Sequence, residues 1–442
     1  MPTTRRAKAW TTRIPGGPDG RRIVAAALVD RIGSGLWASV SVLYFTYVCD
    51  LTVGEIGTLA ATAGVVGIAG TPLAGRVADR LPLTRVLIAT QLLRCAASLA
   101  LLTTDHFALL LAYSALGSLG DRASSTLTKL YAVRVAGTER VRYQALHRTV
   151  ANAGWALGGL AAASALAVGS AGAYRWLLLG DALSFLACAL ITLRCGEPPS
   201  PSRTVTASGD TPAPARPPGP WRDRTYLAYV ITETVLFIDD AVFKVGLPLW
   251  IAHAGDVPHG LAPLLMVLNN VMVVGLQVPL ARLGATTAAA RSLLLPLSAT
   301  FALGGGAMAL SATGGSVSAV LLMTASAVLF TLAEMLHATV SWELSVALAP
   351  DTAQGAYLGV HGMAQSAQRS VGPLAVSAAI ATGPLGWAVL GSAVALVCLG
   401  QHRLVRGRLD KPLDAVALPA AADRTSRPGN PKGTEPPRRT CS

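Results

Sequence analysis

Long apolar tracts recur along most of the sequence, and they restrict its fold more than any other feature. Tracts of roughly 18 to 25 residues match the length at which an α-helix crosses a hydrocarbon core about 30 Å thick. A helix satisfies its own backbone hydrogen bonds, which lipid cannot do. The sequence therefore predicts an all-α membrane protein with twelve transmembrane helices. These lie at about residues 23–47, 53–74, 84–103, 107–132, 144–168, 174–194, 225–252, 261–284, 292–311, 317–346, 355–381 and 385–401.

The composition is typical of a membrane chain, and the charge pattern predicts its orientation. Hydrophobic residues make up 52% of the sequence and charged residues only 13%, against about 25% charged in ordinary soluble domains. The net charge of +13 is concentrated before the first tract and in alternate loops. By the positive-inside rule, both termini lie in the cytoplasm of a multi-pass plasma-membrane protein. Basic residues are not interleaved with aromatic ones as a nucleic-acid groove requires, so nucleic acid is not an expected partner.

A proline-rich segment divides the tracts into two groups of six. We predict a basic cytoplasmic segment at 1–22, a six-helix bundle at 23–195 and a second six-helix bundle at 224–403. The Pro-rich segment at 196–223 is expected to be a flexible cytoplasmic linker, and the polar tail at 404–442 is expected to be disordered.

The two predicted halves share a sequence pattern. Residues 143–161 align without gaps on residues 357–375, with Tyr, His, Gly, Leu and Ala in register. Internal repeats of six helices, with a site at their interface near the bilayer midplane, are typical of a secondary transporter whose halves rock against each other.

The loop between the second and third tracts carries a short polar signature, Gly-Arg-Val-Ala-Asp-Arg from Gly75 to Arg80, followed by Arg85. Gly75 allows close helix approach, and Asp79 can cap or form a salt bridge with a neighbouring helix terminus. Arg80 and Arg85 hold the loop in the cytoplasm. The pattern resembles the signature between the second and third helices of the major facilitator superfamily, although Pro82 replaces the usual second glycine. The resemblance implies that these residues form a cytoplasmic gate.

Other segments resemble actinobacterial permeases of the drug-efflux type within that superfamily. They lie at 29–35, 121–124, 181–185 and 348–350. Gly154, Gly158 and Gly159 retain the glycines of an element that efflux permeases often carry in helix 5, whereas its proline is missing. The resemblance covers about residues 22–403 and implies drug:proton antiport of the kind that gives multidrug resistance.

Charges inside the first six tracts suggest a proton site. A charge at the centre of a spanning helix costs about 2.5 to 3.5 kcal/mol, so it needs a partner or a water-filled cavity. Asp30 and Arg122 are expected at comparable depth in the first and fourth tracts. We predict that Asp30 accepts the coupled proton in response to Arg122 or Arg31, and a permanent structural ion pair is the alternative.

The seventh tract carries several charges. Asp240 and Lys244 stand four residues apart and are expected to pair. Asp239 then remains as a second proton-coupling carboxylate that faces the cavity and attracts cationic substrates. Glu334 and His337 repeat the spacing of di-metal bundles, but the second copy that such a site requires is missing, so no metal is expected.

Four further charged residues are assigned to a substrate cavity: Arg94, Asp121, Glu334 and Arg369. Arg94 and Arg369 either neutralise intramembrane acids or bind an anionic substrate, and the sequence leaves both interpretations open.

The sequence favours a transporter over other membrane proteins. It has neither a phosphate-binding loop nor a nucleophile elbow, so neither an ATPase nor another enzyme is indicated, and no cofactor is expected. A proton gradient suffices, since about 2.3 kcal/mol per charge per 100 mV plus about 1.4 per pH unit sustains roughly a 500-fold gradient. We expect a monomer that exports an amphipathic drug or secondary metabolite by alternating access. The alternatives are proton-coupled uptake of a small metabolite and a non-transporting receptor or enzyme.

Overall fold

The computed structural model describes residues 14–166, 171–199, 219–253, 257–258 and 260–409. Most of the predicted basic segment, most of the Pro-rich linker and most of the polar tail lie outside these residues. Within the described ranges the regular structure is helical, without strands.

The first six long helices cover the predicted N-terminal bundle. They are α1 (Gly17–Tyr47), α2 (Val53–Arg80), α3 (Leu83–Leu101), α4 (Phe107–Ala136), α5 (Arg140–Leu166) and α6 (Ala171–Leu193). Thr52 and Glu55 form a capping box that starts α2. The N-cap residue of α3 is Pro82, whose side chain cannot accept a hydrogen bond from the first turn. The carboxylate of Glu197 takes this role and accepts from the backbone N of Leu83 at 2.7 Å. The first residues after α6 therefore hold the α2–α3 loop in place.

The C-terminal bundle contains an interrupted helix, where the sequence pattern predicted one continuous span. This helix, α7 (224–253), consists of Arg224–Leu236, a turn at Asp239–Ala241, a π-helical segment at Val242–Gly246 and Leu247–His253. A π segment adds a residue to a turn and rotates the following side chains, and such segments are frequent at functional sites. The remaining helices are α8 (Leu261–Ala281), α9 (Thr287–Leu310, broken at Leu293), α10 (Ser316–Ala347), α11 (Gln354–Ala381) and α12 (Pro384–Leu409).

Two helix ends differ from the predicted boundaries. α1 begins at Gly17, inside the segment expected to precede the bundle, and α12 continues to Leu409, beyond the predicted boundary at residue 403. Arg408 bonds to Asp223 at 2.8 Å, just before α7 begins. This ion pair joins the two ends of the second half and extends the folded region past the boundary that polarity alone suggested.

Close helix packing within each half depends on glycine. α1 packs against α5 and α6, and α9 packs against α10 and α12. A Cβ at Gly158 of α5 would lie 2.2 Å from the carbonyl oxygen of Ile32 in α1. In the second half a Cβ at Gly391 of α12 would lie 2.7 Å from the carbonyl oxygen of Phe301 in α9. Any larger residue would push these helix pairs apart.

Eight helices of the described chain are long and apolar enough to cross a membrane, namely α1, α2, α3, α6, α8, α9, α10 and α12. The other four, α4, α5, α7 and α11, carry most of the charged side chains discussed below. The count of twelve spans and the two-repeat layout stay predictions. What is established is a helical multi-pass arrangement whose most polar helices face one another.

Candidate functional site

A cavity of about 200 Å³ lies between the two halves. Its walls come from α1, α3, α4, α5 and α6 on one side and from α7, α10 and α11 on the other. Apolar side chains, including Ile23, Leu87 and Leu358, line part of it. The charged residues that line it are Asp30, Arg31, Arg94, Asp121, Lys129 and Arg148. The cavity therefore combines an apolar wall with groups that can form ion pairs.

Asp30 pairs with Arg94, not with Arg122 as the sequence suggested. The Nη1 atom of Arg94 donates to Asp30 Oδ1 at 2.5 Å, and its Nη2 atom donates to Asp121 Oδ1 at 3.1 Å. Arg31 is a more distant neighbour, with Nε 3.7 Å from Asp30 Oδ2. Of the two partners that the sequence suggested, Arg31 is therefore near Asp30 and Arg122 is not paired with it, because depth in a helix says nothing about direction around the axis. Arg94 reaches Asp30 from α3, which also packs against α4 and α6.

A third carboxylate lies behind this pair. Asp181 of α6 accepts from Ser98 Oγ at 3.3 Å and is within electrostatic range of Arg94. The ring of Phe185 covers the Arg94 guanidinium at 3.9 Å. Arg94 is 3% exposed and is thus a buried cation shared by three acids. Its role as a neutralising residue was one of the two interpretations that the sequence left open.

Glu334 forms an ion pair across the two halves. Arg148 of α5 donates to Glu334 Oε1 of α10, and Asn269 of α8 donates to Glu334 Oε2 at 2.7 Å. Asp239 lies beside this pair in a smaller cavity of about 70 Å³ that also contains Arg369. Asp239 is buried, and its Oδ1 atom has no hydrogen-bond partner among the described residues.

The two adjacent aspartates of α7 differ in their partners. Asp240 bonds to Lys244 at 2.8 Å, which is the expected pair between residues four apart. Asp239 lines the same small cavity as Asp240, together with Glu334, His337 and Arg148. The sequence identified Asp239 as the remaining carboxylate, but not its neighbours, because these lie on α5 and α10.

Arg122 and Arg369 have no carboxylate partner within the part of the chain that the structure describes. Arg122 lies on α4 against Gly67 of α2, where a Cβ would be 3.4 Å from Arg122 Cγ. Arg369 lies on α11, is exposed, and lines the smaller cavity. Arg369 is the charged group with the strongest effect on Arg122. The helices that carry them, α4 and α11, pack against each other.

A buried polar network in the second half was not among the sequence predictions. Glu233 of α7 is completely buried and accepts from Ser341 and, at 2.6 Å, from Gln401. The Nε2 atoms of His361 and His337 lie 3.2 and 3.4 Å from Glu233 Oε2. This network joins α7, α10, α11 and α12 around one carboxylate.

Lys129 connects the first half to this network, and it too was missed. Its Nζ atom donates to Ser345 Oγ of α10 at 2.8 Å and lies 3.5 Å from His361 Nδ1 of α11. It also lies 4.9 Å from the ring of Trp342. A lysine inside a predicted span was a signal that could have marked Lys129 as a candidate. Its partners could not be found from the sequence, because they lie more than 200 positions away.

Asp79 lies at the end of α2, and its carboxylate accepts hydrogen bonds from the other half. Its Oδ1 and Oδ2 atoms accept from the backbone N of Gly355 at 3.0 Å and of Ala356 at 2.8 Å. These amides belong to the first turn of α11, whose free N–H groups and dipole favour a negative charge. Arg134 of α4 lies 3.6 Å from Asp79 Oδ1. The capping geometry that the sequence suggested is present, and the capped helix belongs to the other half.

Gly75 makes this contact sterically possible. A Cβ at Gly75 would lie 2.1 Å from the carbonyl oxygen of Gly355, and one at Gly359 would lie 2.7 Å from that of Thr71. Arg80 and Arg85 are exposed and form no ion pair within the described ranges. Their assigned role in a gate therefore rests on the orientation rule alone, whereas Gly75 and Asp79 touch the opposite half.

Further bonds between the halves lie at the same face as the α2–α3 loop. Arg140 donates to both carboxylate oxygens of Glu343 at 2.7 Å, a bidentate geometry that is among the stronger ion pairs. Val141 and Ala145 of α5 pack against Ala281 of α8. With the Asp79 contact and the Lys129 bond, these interactions hold the halves together at the end of the molecule that the sequence places in the cytoplasm.

The sequence matches one family model. The model described as Major Facilitator Superfamily covers residues 23–373. A search of curated proteins finds no match to this chain.

Solved transporter structures share the fold. A bacterial homologue of the iron transporter ferroportin is 15% identical with a TM-score of 0.68, covering 89% of this chain and 99% of that chain. The proton:xylose symporter XylE is 13% identical with a TM-score of 0.66, covering 88% of this chain and 96% of that one. The human organic anion transporter MFSD10 is 15% identical with a TM-score of 0.58, covering 88% and 100%. At these identities the likeness is one of fold.

Proposed function

Because the chain belongs to the major facilitator superfamily, we propose that it is a proton-coupled secondary transporter that exports an amphipathic drug or secondary metabolite by alternating access. The family and the similar structures indicate a transporter and not an enzyme. Coupling to protons, export and the nature of the substrate are parts of the proposal.

The observation that carries the proposal is the Glu334–Arg148 pair with Asp239 beside it. The pair joins α10 to α5, so its strength contributes to the free energy that holds the halves together. A proton on Glu334 removes the negative charge that attracts Arg148. Asp239 shares the same small cavity and can exchange a proton with Glu334 or hold it in turn. Proton binding at this site would therefore loosen contact between the halves, which is the coupling that alternating access requires.

Asp30 is the less suitable proton carrier of the two acids named from the sequence. It shares the buried Arg94 guanidinium with Asp121, and both acids belong to the first half. Protonation of Asp30 would change an interaction inside one bundle, not one between bundles. We propose that Asp30 supports the cavity wall, while Asp239 and Glu334 carry the coupled proton.

The proposal is tested by proton-driven flux in sealed proteoliposomes. A pH gradient would be imposed and a panel of cationic, neutral and anionic amphipathic dyes followed together with a pH reporter. Export by antiport predicts that a dye moves opposite to the protons. Movement of dye and protons in the same direction would support uptake by symport, and no flux of any dye would favour a non-transporting receptor.

We expect Glu334→Gln to uncouple substrate transport from the proton gradient. Gln cannot take up or release a proton, so gradient-driven accumulation should fall by about tenfold or more, a change of about 1.4 kcal/mol or more in coupling. Exchange of labelled for unlabelled substrate, which needs no net proton movement, should persist. The measurement is the ratio of gradient-driven flux to exchange.

The matched control is Asp105→Asn, since Asp105 is exposed in the loop before α4 and forms no ion pair in the described residues. It should behave as the unmodified protein. Equal gradient-driven accumulation in the two variants would show that Glu334 does not couple transport to protons.

A further inference from the structure

A buried carboxylate of the second half and a cation of the first half share one imidazole. Glu233 is completely buried and, among the described residues, has no arginine or lysine within ion-pair distance. The Nε2 atom of His361 lies 3.2 Å from Glu233 Oε2. On the other side of the same ring, Nδ1 lies 3.5 Å from Lys129 Nζ. The ring of His361 therefore connects a buried negative charge to a cation on the opposite half.

The hydrogen bonds around His361 fix where its hydrogens lie. The hydroxyl of Ser341 donates to Glu233 Oε2, so its hydrogen is in use, and a carboxylate has none to give. The Nε2 atom of His361 lies 3.1 Å from this hydroxyl oxygen and 3.2 Å from Glu233 Oε2, and it must carry the hydrogen. In a neutral ring Nδ1 is then the acceptor, and it faces the Lys129 ammonium.

The contact between Lys129 and His361 has room for one proton and not for two. If Nδ1 is protonated as well, an ammonium and an imidazolium face each other as two donors of like charge. The other bond of Lys129 offers no compensation, because Ser345 Oγ accepts from Nζ at 2.8 Å and gives its own hydrogen to the Trp342 carbonyl oxygen. A second proton therefore pushes α4 of the first half away from α10 and α11 of the second.

Other titratable groups border this network from the helices packed against α11. Tyrosine and cysteine side chains are ordinarily neutral at pH 7, and the carboxylate of Asp79 is bound to the first turn of α11. Asp239 and Asp240 line the smaller cavity with Arg369, about two turns beyond His361. Besides Lys129 and Glu233, the bordering groups are His337 of α10, Tyr229 of α7, Cys398 of α12 and Asp79 of α2.

We propose that Lys129, His361 and Glu233 form a second proton-binding site, at which a proton on His361 Nδ1 replaces Lys129 as the cation that neutralises Glu233. Lys129 and His361 both line the main cavity, so its water can deliver the proton. The imidazolium then balances the carboxylate within the second half, and the Lys129 ammonium passes into the cavity. The site goes beyond the proposed function, because it shares no residue with the Glu334 and Asp239 pair.

The bound proton and the docked lysine exclude one another, which gives the site a role in the cycle. By linkage, each weakens the binding of the other by the same factor. Acidification thus favours separation of the halves, and separation raises the affinity of His361 for a proton. Because the pH dependence of an equilibrium increases with the number of protons bound, two sites make opening steeper with pH than Glu334 alone would.

The first test measures proton binding at His361 in the full-length protein in detergent. Histidine is labelled with ¹³C, and the magnetic resonance signal that disappears in His361→Gln is followed against pH. We expect Lys129→Gln to raise the proton affinity of His361 by about tenfold or more, since it removes the charge that opposes the second proton. Lys129→Arg, which keeps that charge, should stay close to the unmodified protein.

The matched control is Lys244→Gln, since the Lys244 side chain is 63% exposed and bonds to Asp240. It should leave the proton affinity of His361 unchanged. Equal affinities in Lys129→Gln and Lys244→Gln would overturn the proposal.

The second test separates this site from the proposed coupling pair. Spin labels at Arg85 and Asp351, both exposed on the loop face, report the distance between the halves against pH without substrate. We expect acidification to lengthen this distance, and both His361→Gln and Glu334→Gln to make the change less steep. Dependence that is lost in Glu334→Gln and unchanged in His361→Gln would overturn this site and sustain the proposed coupling pair. The opposite result would sustain this site and overturn the coupling by Glu334.

Discussion

We expect Gly75→Val to reduce transport by about 100-fold while leaving a folded protein. Even a Cβ at this position would lie 2.1 Å from the carbonyl oxygen of Gly355, and a backbone atom cannot move aside as a flexible side chain can. The valine would therefore separate α2 from α11 and pull Asp79 away from the two amides that it caps. Because the second half keeps its own hydrophobic core, the loss should affect closure of the halves and not folding.

The matched control for this prediction lies on the same helix. A Cβ at Gly64 of α2 would meet nothing within 4 Å, so Gly64→Val changes helix composition equally without touching α11. Flux and the monodisperse fraction after purification should be measured for both variants. If Gly75→Val transports as well as Gly64→Val, close contact of α2 with α11 is not needed in the cycle.

Arg94→Leu should cause the largest loss of stability among the charged residues. It would leave Asp30, Asp121 and Asp181 without the guanidinium that they share. Removal of one partner from a buried ion pair typically costs about 3 to 5 kcal/mol. We expect little folded protein after detergent extraction, or a strongly lowered unfolding temperature in a thermal assay.

A surface pair provides the comparison. Arg22 bonds to Asp19 at 2.6 Å with a side chain 43% exposed, and such pairs contribute about 0 to 1 kcal/mol, so Arg22→Leu should be nearly neutral. The double variant Asp30→Asn with Arg94→Gln should recover part of the loss, because it removes one of the charges left uncompensated. Similar unfolding temperatures for Arg94→Leu and Arg22→Leu would contradict the account of the Arg94 cluster.

Features that depend on neighbouring residues in sequence were predictable. Apolar tracts of sufficient length placed the long helices, and spacing by four residues gave the Asp240–Lys244 pair. Glycine spacing indicated close helix crossings, as at Gly158. The short loop signature indicated that Asp79 could cap or form a salt bridge with a neighbouring helix terminus, where the helix dipole favours a negative charge.

Features that depend on the rotation and order of helices were not predictable. Asp30 binds Arg94 and not Arg122 because α3, not α4, directs its arginine toward α1 at that depth. The partners of Glu334 and Lys129 lie on helices of the other half. Pro248 was an available signal for the break in α7, because its ring crowds the carbonyl of Lys244 in the π segment, but it does not tell which neighbours Asp239 meets. These pairings follow from tertiary packing, which a single sequence does not specify.

The central claim is that the two halves alternate between closure at the α2–α3 loop face and closure at the opposite face. Pulsed electron-spin distance measurements test it directly, in a variant whose native cysteines are replaced. One label pair would be placed at Arg85 and Asp351 on the loop face, and another at Asp105 and Thr313 on the opposite face; all four residues are exposed. The account predicts that substrate together with acidification lengthens the first distance and shortens the second. Two distances that stay fixed, or that lengthen together, would contradict alternating access.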